Sequence, residues 1–292
     1  MQTTHLLGKP VSENIYNILS RKIEKLSKKN IIPKLSAILI GENQASKIYV
    51  NTKKKMFIKM QCDSEIHYLS KNIDKTRLLD LINKLNNDNS IHGILLQLPL
   101  PSHLDSDKIL SFISPKKDVD GFHPENLGYL LQGNPRFIPC TPFGCIEILK
   151  YYKIDVKSKH IVIIGRSNIV GKPLMALLSQ KFELGNATVT ICHSYTKNLS
   201  KYTMMADIII AATGIPNLLN ADMIKKGAII IDVGINRIND NSKKGYHIVG
   251  DVNYESVKGK AAAITPVPGG VGPMTITMLL FNTVLSAENS TI

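Results

Sequence analysis

The chain has no tryptophan, and only 6% of its 292 residues are aromatic. Proteins that bind single-stranded nucleic acid stack bases on aromatics set among basic residues, and no stretch here interleaves the two. The net charge of +13, from 36 Lys and Arg against 23 Asp and Glu, is strewn along the chain rather than gathered in a run. It reads as a compositional bias that suits small anionic ligands, and no nucleic-acid partner is expected. Cysteine is scarce as well. Cys62, Cys140, Cys145 and Cys192 include no C-x-x-C pair and have no H-E-x-x-H or similar cluster near them, so neither a metal site nor dithiol redox chemistry is expected. Long apolar runs are also missing: 161–164, 208–212 and 228–231 are strand-length, far short of the roughly 18–20 residues of a membrane span. Residues 1–10 show neither a basic flank before an apolar core nor an Arg-rich amphipathic pattern, so a cytoplasmic protein is expected.

What remains, 43% hydrophobic and 20% charged residues, is the composition of a globular chain long enough for two domains of ordinary size. Val11, Ile15, Ile18, Leu19, Ile23 and Leu26 recur at helical spacing, with Ser12 placed as a cap. A strand is expected at 34–40 and a helix over 45–60 that turns Ile48, Phe57 and Met60 inward. That helix sets Tyr49 and Lys53 one turn apart on a shared face. A strand at 65–69, a helix at 76–85 and a strand at 93–98 complete a βαβ rhythm, and Thr141 with Pro142 opens a further helix. From residue 160 the alternation becomes regular, with strands at 160–164, 187–192, 207–211 and 228–233. Strands apolar on both faces, alternating with helices, require a parallel sheet covered on both sides. The fold class is therefore α/β in two domains: an N-terminal α/β catalytic domain of residues 1–145 plus 275–292, and a doubly wound, Rossmann-like domain of residues 146–274. The C-terminal helix, expected over 275–285, returns to the first domain.

Chemistry is concentrated in a few places. The strand 161–164 runs into Gly165-Arg166-Ser167 and then a helix, and a glycine at such a turn lets a pyrophosphate approach the free N–H groups at the helix start. The spacing is not G-x-G-x-x-G. After the second strand, where NAD enzymes place an acid for the ribose, the chain has Cys192-His193-Ser194. No carboxylate there repels a 2′-phosphate, and Arg166 is free to meet one, so NADP is expected over NAD. Tyr49 and Lys53 pair a phenol with an amine able to move protons, although Lys54 and Lys55 beside them also fit a solvated face. Gln97 lies in the apolar run 93–101, where an amide must find partners to offset its desolvation. Asp120 precedes Gly121 and reads equally as a turn residue. The stretch 265–275, T-P-V-P-G-G-V-G-P-M-T, forms a stiff loop before a helix, either a linker or a ligand-facing surface.

Together, Y-V-x-x-K at 49–53, G-I-L-L-Q-L-P-L-P at 93–101, K-D-V-D-G at 117–121, P-C-T-P at 139–142, G-R-S-x-I-V-G-x-P at 165–173 and the 265–275 stretch resemble the bifunctional methylenetetrahydrofolate dehydrogenase/methenyltetrahydrofolate cyclohydrolase family. The resemblance spans about residues 8–285. It implies hydride transfer from 5,10-methylenetetrahydrofolate to NADP⁺ and hydrolysis of the 5,10-methenyl cation to 10-formyltetrahydrofolate. Lys53 would transfer protons in hydrolysis, Tyr49 would orient the folate, Gln97 would position Lys53, and Asp120 would hold the pterin through its N–H groups. Gly165, Arg166, Ser167, Ser194 and Ile235 would contact NADP, and Pro268, Gly269 and Gly270 would lie against the substrate. The implied partners are tetrahydrofolate derivatives, polyglutamylated ones among them, and a second copy of the chain joined through the NADP domain. A lysine facing a cation favours its neutral form and becomes available as a base towards water.

Two departures from the family pattern stand out. Phe57 replaces a cysteine and Gln61-Cys62 replace a Gly-Ile, which bears on the turn after the second helix, and 180–186 is a longer loop than in some members. The alternative is an NADP-dependent dehydrogenase of another small substrate, of the shikimate type, which also pairs a Lys with an Asp beside a Rossmann-like domain.

Overall fold

The second strand of the chain, β2 (Lys34–Ile40), is apolar almost throughout and buried along its length. It is therefore placed at the centre of a small sheet rather than at its edge. Residues 2–241 and 245–290 are described in this computed structural model, and they divide into two units, Met1–Glu13 with Thr141–Thr275, and Asn14–Cys140 with Ile276–Ile292. The first strand, β1 (Thr4–His5), belongs to the former unit.

The unit of residues 14–140 and 276–292 holds a parallel three-stranded sheet in the order β3-β2-β4, with β3 at Asp63–Leu69 and β4 at Gly93–Leu96. Ile38 pairs with Leu96, and Ile38, Ile40, Leu78, Ile82, Leu85, Ile94 and Leu96 share one buried cluster. The helix Lys75–Asn87, capped by the Asp74 carboxylate on Thr76 N–H at 2.7 Å, supplies Leu78, Ile82 and Leu85 to that cluster at i, i+4 and i+7.

The unit of residues 1–13 and 141–275 is built on a fully parallel six-stranded sheet. Its strands after β1 are β5 (His160–Ile164), β6 (Thr188–Cys192), β7 (Ile208–Ala211), β8 (Ile229–Asp232) and β11 (Ala263–Ile264), in the order β1-β11-β8-β7-β5-β6. A separate antiparallel hairpin, β9 (Asn236–Asn239) with β10 (Tyr246–Val249), lies between β8 and β11 in sequence. The order turns back on itself at β5, the point where doubly wound sheets open a crevice at their carboxyl ends.

Several expectations are corrected. Residues 1–13 do not join the 14–140 unit, because β1 adds a parallel strand to β11, with Thr4 N–H on Ala262 O and Leu6 N–H on Ile264 O. Ser12 is not a cap: the helix already starts at Gly8, and Ser12 is buried inside it. Ile48 does not turn inward but is 60% exposed, since the buried stripe of the helix Gln44–Lys59 runs through Ser46, Val50, Lys53 and Phe57. β4 stops at Leu96, one residue before Gln97 rather than beyond it. The C-terminal helix is longer than expected, Val271–Asn289. Among the described residues no helix is long and apolar enough to cross a membrane.

Candidate active site

Lys53 is the most unusual residue of the 14–140 unit. The helix that carries it is started by Asn43, whose side chain accepts Ser46 N–H at 3.0 Å. Packing of the helix through Val50 and Phe57 places Lys53 between them on the buried stripe, leaving the residue 6% exposed. Lys55 on the same helix is exposed. A buried amine needs an acceptor, and Lys53 Nζ donates to Gln97 Oε1 at 3.0 Å. Gln97 sits at the exit of β4, tied by its N–H to Ile38 O at 3.0 Å, and its Nε2 donates to Leu98 O at 2.8 Å. Tyr49, one turn before Lys53, is half-buried, and burial pushes its phenol up.

Asp120 reaches this region by a route that its neighbours determine. Ile94 of β4 bridges in parallel to Asp118, with Ile94 N–H on Lys117 O at 2.8 Å. The buried Asp118 carboxylate then accepts His123 N–H at 2.7 Å and Asn126 Nδ2 at 2.8 Å. The turn-holding bonds are thus made by Asp118, and the Asp120 side chain is not consumed by them. Burial pushes the Asp120 carboxyl up, while the Lys53 charge and the Cys140 thiol pull it back down. Sequence reasoning passed over the residues behind it. Asn282 of the C-terminal helix donates from Nδ2 to Val119 O at 2.8 Å and to Ile138 O at 2.9 Å, and Cys140 Sγ donates to Val119 O at 3.4 Å. An asparagine in an otherwise apolar helix run is the signal that could have found this clamp. All four thiols are buried, and burial pushes Cys62 and Cys145 up to about 12.

The remaining expected site residues lie in the other unit. Gly165 follows β5 with φ +125°, and a Cβ there would sit 2.2 Å from Ala212 O, so the position admits only glycine. Ser167 Oγ accepts Val170 N–H at 3.1 Å at the start of the helix Gly171–Ser179. Arg166 and Ser194 are exposed, and the Arg166 guanidinium lies 5.8 Å from the ring centre of Tyr195, which brings it to the end of β6. Ile235, just past β8, is exposed. A Cβ on Gly272 would lie 3.6 Å from Ile235 Cδ1, which puts the end of the Pro-Gly loop beside that residue. Within the loop Gly269 has φ +110° and Gly270 N–H bonds Pro266 O at 2.7 Å, while Pro268 faces solvent.

One unit is therefore a dinucleotide-type α/β domain, and the other carries a buried lysine beside a half-buried amide and a half-buried carboxylate: the chain is of the class of two-unit α/β dehydrogenases. The sequence matches the family models for tetrahydrofolate dehydrogenase/cyclohydrolase, the catalytic domain over residues 6–120 and the NAD(P)-binding domain over residues 139–291. The chain belongs to the tetrahydrofolate dehydrogenase/cyclohydrolase family. It is 51% identical over 285 residues to the bifunctional protein FolD of Chlorobium chlorochromatii, covering 96% of this chain and 97% of that one. The bifunctional FolD structure from Campylobacter jejuni superposes with a TM-score of 0.92 at 51% identity, over 98% of this chain and 99% of that one. The Trypanosoma brucei FolD structure, complexed with NADP cofactor and inhibitor, gives a TM-score of 0.94 at 35% identity, over 100% and 99%. Membership of this family displaces the shikimate-type alternative.

Proposed function

We propose that this protein oxidises 5,10-methylenetetrahydrofolate to 5,10-methenyltetrahydrofolate with NADP⁺ and hydrolyses the product to 10-formyltetrahydrofolate. The observation that carries the reading is the buried Lys53 amine held by Gln97, with Asp120 close enough to feel its charge. Burying a lysine costs free energy, which the hydrogen bond to Gln97 Oε1 offsets only in part.

Each step makes different demands on the chain. Hydrolysis requires a water to lose a proton and a ring nitrogen to gain one, so Lys53 serves as the proton-transfer residue. Gln97 fixes the direction of the Nζ, Tyr49 orients the folate through its ring, and the Asp120 carboxylate accepts the pterin N–H donors. The hydride step requires alignment rather than acid or base.

The first unit fits a dinucleotide: the Gly165 turn has no space for a side chain and opens onto a helix N-terminus. Gly165, Arg166, Ser167, Ser194 and Ile235 would hold NADP, with Arg166 on the 2′-phosphate, and Pro268, Gly269 and Gly270 would lie against the substrate. When bound, NADP⁺ supplies the hydride acceptor. We further propose a cytoplasmic homodimer joined through this unit and acting on polyglutamylated folates.

The test is direct. Purified protein given methylenetetrahydrofolate and NADP⁺ is expected to raise the methenyl absorbance, which then decays faster than in enzyme-free solution. Absence of NADP⁺-dependent methenyl formation overturns the dehydrogenase assignment, and decay at the uncatalysed rate overturns the cyclohydrolase assignment.

A further inference from the structure

Two buried carboxylates in the nucleotide-type unit, Asp232 and Asp251, have no part in the chemistry above. They are bound to each other through the backbone: Asp232 Oδ1 accepts Asp251 N–H at 3.0 Å, and also Gly234 N–H at 3.0 Å, while Oδ2 accepts Val252 N–H at 3.0 Å. Asp251 then reaches across the sheet end. Its Oδ2 accepts Thr213 N–H at 2.5 Å, Thr213 Oγ1 at 3.0 Å and Gly214 N–H at 3.0 Å, and its Oδ1 accepts Asn236 Nδ2 at 2.9 Å. Seven donors converge on two side chains, and they come from the loop after β7, the loop after β8 with the first residue of β9, and the 250–252 segment.

These loops leave the carboxyl ends of adjacent parallel strands, where open α/β sheets bind their ligands. Gly165 packs against the first of them, since a Cβ there would meet Ala212 O. Ile215 and Ile235, one in each loop, are large apolar side chains left exposed, 52% and 48%. The carboxylates also fill the space beside the loop glycines: a Cβ on Gly234 would stand 2.1 Å from Asp251 Oδ1, and one on Gly250 would stand 1.8 Å from Asp232 Oδ2. Without the carboxylate of Asp251, the Thr213 and Gly214 N–H groups lose the one side-chain acceptor that ties their loop to the 250–252 segment. The loop is then free to leave the position in which the carboxylate holds it.

Resting on the reading that this unit takes NADP, we propose that Asp251, itself held by Asp232, is a positioning residue for the cofactor, clamping the Thr213–Gly214 and Ile235 loops in the geometry in which the carboxyl end of the sheet receives it. The clamp acts on cofactor affinity and not on the folate hydrolysis performed by the other unit.

The experiment measures NADPH binding directly, by the cofactor's fluorescence titrated with protein, alongside methenyltetrahydrofolate hydrolysis without cofactor. Asp251→Ala is expected to weaken NADPH by about tenfold or more with hydrolysis within about twofold of wild type, and Asp251→Asn, which keeps an acceptor for the Thr213 and Gly214 N–H groups, is expected to recover part of the loss. Thr213→Val removes only a hydroxyl and serves if Asp251→Ala does not fold; about threefold weaker NADPH binding is expected of it. Unchanged NADPH affinity in the folded variants, or equal losses of affinity and hydrolysis, overturns the clamp. Failure of the wild-type protein to bind NADPH overturns the cofactor reading and the clamp with it.

Discussion

Lys53 Nζ and Gln97 Oε1 are 3.0 Å apart, and Gln97 has only one way to make that contact. Its Nε2 is committed to Leu98 O at 2.8 Å, so the oxygen end of the amide must face the lysine. The helix therefore supplies a buried amine and the strand exit supplies its acceptor, from positions 44 residues apart in sequence.

Lys53→Gln keeps much of the volume and removes proton exchange. Cyclohydrolase activity is expected to fall roughly 10²-fold or more, dehydrogenase activity far less, and methenyltetrahydrofolate to accumulate when the variant turns over with NADP⁺. Decay of methenyl absorbance at the wild-type rate would remove Lys53 from the proton-transfer role. Gln97→Met, which leaves the amine without its acceptor, is expected to lower hydrolysis by about tenfold with dehydrogenase turnover again the less affected.

Asp118 and Asp120 separate structure from binding. Asp118→Ala deprives His123 N–H and Asn126 Nδ2 of their buried acceptor and is expected to lower stability by about 2–4 kcal/mol. Asp120→Ala should leave the melting temperature nearly intact and impair folate turnover in both reactions, with NADPH affinity retained. A melting temperature that falls as far for Asp120→Ala as for Asp118→Ala would return Asp120 to the turn.

Arg166→Ala is expected to raise the KM for NADP⁺ by about tenfold or more, as for loss of a charge-assisted contact to phosphate, and to change that for NAD⁺ much less. The comparison of the two cofactors is the measurement, and an unchanged preference removes Arg166 from the 2′-phosphate.

Asp232 links stability to pH. Burial outweighs its three backbone N–H partners and pushes its carboxyl up to about 7 from an ordinary 3.8. Between those values the folded state holds a proton that the unfolded state has released, so this contribution to stability is present at about pH 4 and is lost as pH rises through 7. Asp232→Asn is expected to flatten that part of the profile. Melting temperatures between pH 4 and 8 give the slope, and equal slopes in the two proteins exclude the assignment.

Gln61 occupies the left-handed region at φ +59°, where the resemblance led one to expect glycine. The turn after Lys59 is thus made, with Cys62 N–H on Phe57 O at 2.9 Å, at the steric cost of a side chain there. Gln61→Gly is expected to stabilise the fold by up to about 1 kcal/mol, seen as a higher denaturant midpoint at unchanged m-value. A lower midpoint would show that Gln61 contributes contacts of its own.

The sequence by itself determined the local elements and the chemistry available. Strands β2 and β5 have the expected limits because continuous apolar runs bounded by Pro33, Gly41 or Gly165 permit little else. Tyr49, Lys53, Gln97, Asp120 and the Gly165 turn could be singled out as candidates because each stands inside a distinctive motif. Which way those side chains face was decided only by tertiary structure. Periodicity alone put Ile48 inside and left Lys53 beside two solvated lysines, whereas packing of the helix through Val50 and Phe57 exposes the isoleucine and buries the amine. The place of residues 1–13 was likewise not legible, since two residues of β1 carry no pattern and gain their partners only when β11 presents an open edge. The Asp232–Asp251 clamp depends on loops that leave different strands, and no local spacing records the convergence of backbone N–H groups on a side chain.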